Sequence, residues 1–399
     1  MFLKNITINN YKSIQKATVG FEPGLNIVIG KNGAGKSNLL EFIREFVSFH
    51  VIAGRVPKNF NLDYLFLIEY NQDTSNETAL FNVKMEKHLL NGEIIYPVEI
   101  TLTKTVSGEE HYNGKLLTNQ EMSINQLSSG EQSEFIKEAN VLKRFNLSFV
   151  SFNIPENSFW LDQPTRFEIE SDLFAGTEDN HNGLGIFNFL NNSVIFYFLV
   201  EGPTSFKDVD LNNIRERYVK IFGDFERENQ LNNYLSKHSP IQEIRLNPNI
   251  NVYKTDNKIL VENLLIDFKV NDSWVPWSYL SDGSKRLFYL ITQCLSLKDG
   301  LLLIEEPELG IHPHQLFSLM QFLKEQSEEK QIIISTHSPI VLDVLRQNEL
   351  NRITIAKLEK GYSQFNKLTE EQVSIAKDYM NNVAELSYYW LHSDLEDND

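Results

Sequence analysis

The stretch 30-GKNGAGKS-37 places Gly30, Gly35, Lys36 and Ser37 in the pattern G-x-x-x-x-G-K-[ST]. Glycines let the backbone from Gly30 through Asn32, Gly33, Ala34 and Gly35 curl, so that several N–H groups can point at phosphate oxygens. Lys36 is placed to reach β- and γ-phosphates as a point charge, and Ser37 to ligate Mg²⁺. Asn38 follows where a helix starts, and its positive end faces the same phosphates. A flexible glycine loop could match by accident, but the strand before it and the helix after it are the context the motif requires. The glycine spacing is wrong for the G-x-G-x-x-G dinucleotide fingerprint.

Three further segments end in groups that could act on the same ligand. In 301-LLLIEEPELGIHP-313 an apolar run ends in Glu305 and Glu306. Adjacent carboxylates repel unless a cation lies nearby. Glu305 is expected to hold Mg²⁺ through its water shell and Glu306 to polarise the attacking water; the plainer reading is an exposed acidic turn before Pro307. In 334-ISTHSP-339, His337 could hydrogen-bond a γ-phosphate or that water. A lone histidine is more often structural, and its position after a predicted strand favours the functional reading. In 280-LSDGSKR-286 the Ser281 hydroxyl, Asp282, the Gly283 N–H and a helix N-terminus form a second anion site, unless Ser281 or Asp282 merely caps the helix. The segment 127-LSSGEQS-133 looks locally similar, but only 280–286 precedes Glu305 with a single buried helix between, so Ser128–Gly130 reads as a cap or loop.

The elements that must hold these groups follow from periodicity. Residues 2–14 and 25–30 read as strands and 37–49 as an amphipathic helix. Runs at 64–70, 79–85 and 94–103 suggest an antiparallel patch, and 147–155 a buried strand ending at Pro155. From 155 to about 245 the chain is rich in Asn, Phe, Glu and Asp, with helical patches at 186–200 and 210–226, which predicts an inserted, mostly helical lobe. The β pattern resumes at 250–270, a buried helix follows at 284–297, and 301–306 and 331–336 have the continuous apolar character of central parallel strands around a helix at 314–329. A strand pair at 352–358 and 362–368 and a final helix complete an α/β chain. It divides into 1–154 and 246–399 as the two parts of one head and 155–245 as the insertion.

Bulk composition narrows the setting. With 399 residues, 41% hydrophobic and 23% charged, the chain has the balance of a soluble globular protein with room for a large core. Cys294 is the sole cysteine, so no internal disulfide is possible, which suits a reducing cytoplasm. The N-terminus has no basic stretch followed by an apolar core, so no signal peptide is expected. The apolar window 186–200 is too short and too interrupted for a bilayer span, so no membrane contact is expected. The formal charge of −17 argues against a general nucleic-acid coat, although a local basic groove stays compatible with it.

Taken together, 8-INNYKSIQKATVGFEPGLNIVIGKNGAGKSNLLEFI-43, EEPELGIHP and STHSP resemble an ABC-type ATPase of the SMC/RecF/OLD branch. The likeness covers residues 1–50 and 275–345. It implies an ABC ATPase head with a P-loop NTPase parallel core, binding ATP and Mg²⁺. It also implies a head-to-tail homodimer, or a higher even-numbered homo-oligomer, in which Lys36 and Ser37 of one subunit and Ser281 and Gly283 of the other grip each ATP. Lys12 falls where related proteins place a basic residue near the phosphates, and His312 and Pro313 where the family's D-loop crosses the seam. Neither the coiled-coil arm of SMC proteins nor a Toprim domain like that of OLD proteins is expected from this sequence, and neither Gln126 nor Gln163 stands out as a Q-loop.

The chain also resembles the armless ATPases of two-gene bacterial anti-phage systems of the Septu and PARIS types. That implies an ATPase controlling a separate effector, expected to be a nuclease. The alternatives are a RecF-like repair ATPase that binds DNA across the dimer, and a non-hydrolysing nucleotide-dependent scaffold; Glu306 speaks against the last.

Overall fold

A computed structural model describes residues 2–46, 62–72, 75–85, 88–90, 93–95, 98–118, 137, 147–150, 165–170, 226–249, 251–254, 258–297 and 300–392. The chain divides into two compact units. The first comprises Met1–Phe152, Leu297–Glu308 and Leu323–Asp399, and the second Asn153–Ser296 and Leu309–Phe322.

In chain order the N-terminal elements are β1 (Phe2–Tyr11), β2 (Ile14–Gly20), β3 (Leu25–Ile29), α1 (Lys36–Phe46), β4 (Leu62–Gln72), β5 (Ser75–Met85), β6 (His88–Leu90), β7 (Glu93–Ile95), β8 (Val98–Val106), β9 (Glu109–Thr118) and β10 (Leu147–Val150). Next come β11 (Thr165–Glu170), α2 (Glu226–His238), β12 (Glu243–Leu246), β13 (Asn251–Lys254), β14 (Lys258–Leu264), β15 (Ile266–Val270), β16 (Ser273–Pro276) and α3 (Asp282–Ser296). The chain closes with β17 (Leu301–Glu305), α4 (Pro313–Gln326), β18 (Gln331–Thr336), β19 (Ile353–Glu359), β20 (Tyr362–Lys367), α5 (Glu370–Asn382) and α6 (Leu386–His392).

Among the described residues the first unit carries two six-stranded sheets and the two-stranded β6-β7 pair. One six-stranded sheet is antiparallel with order β2-β1-β4-β5-β8-β9, the patch the sequence predicts. Its first strand alternates, burying Leu3, Ile6 and Ile8, as a sheet with one covered face requires. The other has order β10-β17-β18-β3-β19-β20, parallel throughout except for the terminal β20 hairpin. Every residue of β3, β17 and β18 is buried, which explains their unbroken apolar runs. Helix α1 turns Leu39, Leu40, Phe42 and Ile43 into the same core as Val28, Leu301, Leu303 and Ile333. Each such fully buried side chain contributes about 1.5–3 kcal/mol. Gln331 joins the two sheets: its amide exchanges two 2.9 Å hydrogen bonds with the Leu3 backbone.

The second unit contains the antiparallel sheets β11-β14-β13 and β12-β15-β16. Helix α3 buries Leu287, Phe288, Leu290, Ile291 and Cys294, and Phe288 meets Phe268 edge to face at 5.1 Å. The core is therefore α/β, with the parallel P-loop arrangement and the antiparallel patch expected of an ABC ATPase head.

Of the lobe predicted at 155–245, the described residues include only 165–170, a strand, and 226–245, which opens with α2. The helical patch at 186–200, nearly all of that at 210–226, the segment 127–133, Gln126 and Gln163 lie outside the described residues. Among the described residues, no helix is long and apolar enough to cross a membrane.

Candidate phosphate-handling site

Parallel pairing brings three of the four predicted segments to one edge. β18 lies between β17 and β3, with Glu305 level with Ser335, Ser335 with Val28, and Thr336 with Ile29. The loop after β3, the carboxylates ending β17 and His337 after β18 therefore leave the sheet at the same end, on strands about 4.8 Å apart. The C-terminal edge of a parallel sheet is where α/β folds bind ligands.

In the loop after β3, Lys36 is only 5% exposed, and its ammonium donates to the Gly30 carbonyl at 2.7 Å and the Lys31 carbonyl at 3.0 Å. Ala34 is buried, while Asn32, Gly33 and Ser37 are exposed. Gly35 has φ +92°, and a Cβ there would lie 2.0 Å from the Ser363 hydroxyl of β20. Only glycine fits both constraints. Behind it, Ser13 and Ser363 hydroxyls lie 2.6 Å apart, and the Asn38 side-chain amide donates to Ser13 at 2.7 Å. These polar contacts fix the start of α1 to the turn after β1 and to the terminal hairpin. Asn38, expected at the nucleotide, thus commits its amide within the protein. Lys12, expected near the phosphates, pairs with Glu41 on α1 and has a left-handed backbone, φ +49°.

At the end of β17, Glu305 is buried. Glu306 extends the ladder by donating its N–H to the Ser335 carbonyl at 2.8 Å, yet its φ is +45°. A non-glycine residue held there stores of order 1–3 kcal/mol, which folds tolerate mainly at functional positions. His337 Nδ1 lies 3.6 Å from Glu306 Oε1 and 3.2 Å from Glu308 Oε1. Among the described residues no group of three or more His, Cys, Asp or Glu is placed to hold a metal. Ser37 with Glu305 suits an ion that keeps most of its shell as water and phosphate oxygens, the habit of Mg²⁺.

The fourth segment belongs to the second unit. Ser281 is the cap of α3: its Oγ accepts from the Ser284 N–H at 3.2 Å and lies 2.8 Å from the Ser284 hydroxyl. Ser281 and Asp282 are exposed. A Cβ on Gly283 would approach the Gly310 carbonyl to 2.7 Å, so this turn packs backbone to backbone against the segment leading to His312 and Pro313. The His312 and His314 rings stack at 5.5 Å. The capping alternative is thus realised, and it leaves one side of the turn open.

Sequence reasoning did not single out Glu308, Thr336, Ser13, Ser363 or Glu41. The third acid of EEPE was the available signal for Glu308; Ser363 had none.

The family model for the AAA ATPase domain matches residues 1–342. The chain belongs to that family.

Within it, the chain is 24% identical over 396 residues to the retron Vc95 probable ATPase of Vibrio cholerae, covering 88% of this chain and 73% of that protein. It is 22% identical to Septu protein PtuA of Bacillus thuringiensis, covering 88% and 75%. It is also 22% identical to the DNA replication and repair protein RecF of Streptococcus agalactiae, covering 82% and 89%. Among solved structures, the SMC head domain from Thermotoga maritima aligns over 92% of this chain and 100% of that chain, at 16% identity and a TM-score of 0.43. As an AAA ATPase family member the chain is a nucleotide-binding protein.

Proposed function

We propose that the chain binds ATP with Mg²⁺, dimerises head to tail around it, hydrolyses it and thereby regulates a separate effector, a nuclease, in bacterial anti-phage defence. The observation that carries hydrolysis is the convergence of the Lys36 loop, Glu305, Glu306 and His337 at one sheet edge, with Glu306 in a left-handed conformation. In this reading Lys36 and the loop N–H groups of residues 30–35 hold the β- and γ-phosphates, while Ser37 and Glu305 hold Mg²⁺, which supplies charge neutralisation at the phosphates. Glu306 takes the proton of the attacking water, and His337 orients that water. Ser281, Asp282 and Gly283 of a second copy close over the γ-phosphate with a helix N-terminus. Lys12 reaches the phosphates only by leaving Glu41.

Similarity over most of the chain to a Septu protein and a retron ATPase supports the defence reading. The test is Glu306→Gln, assayed for ATP turnover and for size. Turnover is expected to fall by about 10²–10⁴-fold while an ATP-bound dimer or larger assembly accumulates. Equal turnover in both proteins removes the catalytic assignment of Glu306; no turnover in either leaves a nucleotide-dependent scaffold. Co-purification from the native operon tests the effector.

The similarity to RecF favours one alternative, a repair ATPase that binds DNA across the dimer. That reading requires ATP-dependent DNA binding that weakens steeply between two salt concentrations. The net charge of −17 speaks for the effector instead.

A further inference from the structure

We propose that the paired helices α5 and α6 form the docking face for the separate effector, and that they receive it through a basic segment bearing an apolar stripe. The inference rests on the reading of a separate effector and adds the surface and the chemistry of the contact. It asks nothing of the hydrolysis residues.

Among the described residues ten large hydrophobic side chains are exposed, and five of them lie here: Ile340, Ile375, Val383, Tyr388 and Leu391. Exposed hydrophobics scattered singly are ordinary, whereas a cluster marks a contact surface. Ile375, Tyr379 and Val383 fall at four-residue spacing along α5 and its C-cap, on one face. The Tyr379 ring stacks on Tyr388 of α6 at 6.4 Å, and Tyr388 meets His392 at 4.3 Å, so the two helices share one stripe. Helix α6 buries Leu386, Tyr389 and Trp390, yet it leaves Tyr388 and Leu391 50% and 65% exposed. A helix apolar all round belongs in an interior, and among the described residues nothing covers this outer half. The face is firmly seated. The Ser387 N–H and hydroxyl each donate to the Asp343 carboxylate at 2.7 Å, which ties α6 to the 3-10 turn Pro339–Val344 that carries Ile340. All of it belongs to the first unit.

Charge selects the occupant. Residues 370–399 hold eight acids against one lysine, Lys377, and Glu370, Glu371, Asp378 and Glu385 are exposed on α5 and at the start of α6. An apolar centre with a charged rim is the anatomy of a protein interface. The same face of a second copy would set these acids against their own kind, and like-charge juxtaposition suppresses such a pairing. A segment whose leucines or aromatics are flanked by lysines or arginines covers the stripe and meets the acids at once. A nuclease has such cations at hand, because it must bind a polyanion.

The test purifies the full chain and the protein encoded beside it in the native operon, and measures their binding by titration with and without ATP. Leu391→Glu and Val383→Glu are each expected to weaken that binding by at least about tenfold, and Glu385→Lys by about threefold. Wild-type binding should itself weaken by about threefold or more between about 0.1 M and about 1 M salt. The melting temperature and the ATP turnover of the chain alone should match wild type in all three variants, since each side chain is exposed; Leu391→Ser replaces any glutamate variant that melts early. Wild-type affinity in both Leu391→Glu and Val383→Glu overturns the inference and leaves the effector reading standing. Loss of affinity with no response to salt or to Glu385→Lys overturns the basic character of the contact. A change in the size of the chain's own assembly, with binding intact, assigns the face to a second copy and overturns the inference as well. No binding by wild type in either nucleotide condition removes the separate effector itself.

Discussion

At the C-terminal edge of β17, β18 and β3, strand register positions the polar groups, and each is tied to another element. Lys36 is bonded to its own loop, Asn38 to Ser13, and the turns carrying Glu306 and His337 to each other through Glu308. The turn at Ser281–Gly283 in the second unit is built differently. It is a helix start whose cap satisfies its own first turn, with Ser281 and Asp282 left open to solvent. The first region has the parts to bind a triphosphate and attack it. The second has the parts to receive an anion that another surface already holds. In the proposed head-to-tail dimer, such a division of labour would make a partner copy necessary for turnover and unnecessary for binding.

The sharpest way to break that contrast is a pair of variants, one in each region. Lys36→Ala removes the cation from the loop and should weaken ATP binding by more than about 10²-fold, read by titration calorimetry. Ser281→Arg should leave the affinity of the isolated chain within about threefold while turnover falls by at least about 10²-fold; loss of the cap itself costs only about 1 kcal/mol. If both variants lose affinity alike, the two regions are not separable and the contrast fails.

A smaller effect probes how rigidly the first region is built. Gly35→Ala adds a Cβ 2.0 Å from the Ser363 hydroxyl at φ +92°, and should lower stability by about 1–3 kcal/mol or more and weaken ATP binding with it. Adding Ser363→Gly should restore part of the loss, because the clash is relieved and the backbone strain is not. No rescue in a thermal melt would show that the serine contact is incidental.

The smallest effect is a control on the same hairpin. Lys367 lies about 13 Å along β20 from Ser363, and its Nζ is buried without a hydrogen-bond partner among the described residues. Burial pulls its pKa from 10.5 down to about 8, against a smaller opposing pull from Glu22. The folded state therefore disfavours the charged form. That penalty is full below about pH 8 and disappears as pH rises toward 10.5. Lys367→Met should stabilise the protein by about 1–3 kcal/mol at pH 7, with the gain shrinking across that window and turnover unchanged. A constant gain at all pH values would assign the effect to packing.

The legible part of the site is the part written in contiguous segments. LNIVI, LLLIEE and QIIIST each pair an apolar run with its functional terminus, and parallel pairing brings those termini together. The antiparallel patch and the closing hairpin were readable for the same reason, since alternation and turn residues lie within each stretch. Contacts between distant segments were not. Ser13 and Ser363 are 350 residues apart, and nothing local in YKS or GYSQ marks either as a neighbour of Gly35. Glu308 reads as a turn acid after Pro307 until β18 places Thr336 and His337 against it. Lys12 has the residue type suited to phosphate but finds Glu41, four residues beyond Ser37, on the face of α1 that stays outside the core.

The claim at the centre is that each ATP is gripped by two copies of the chain, and mixing two inactive variants tests it most directly. Lys36→Ala supplies an intact SDG turn and Ser281→Arg an intact phosphate loop, so a mixed dimer regains one complete site. The mixture is predicted to recover turnover that neither variant has alone, about a quarter of wild type if the subunits pair at random, because a mixed dimer carries one working site of two. A mixture as inactive as its components, with both variants still able to dimerise, would contradict the account.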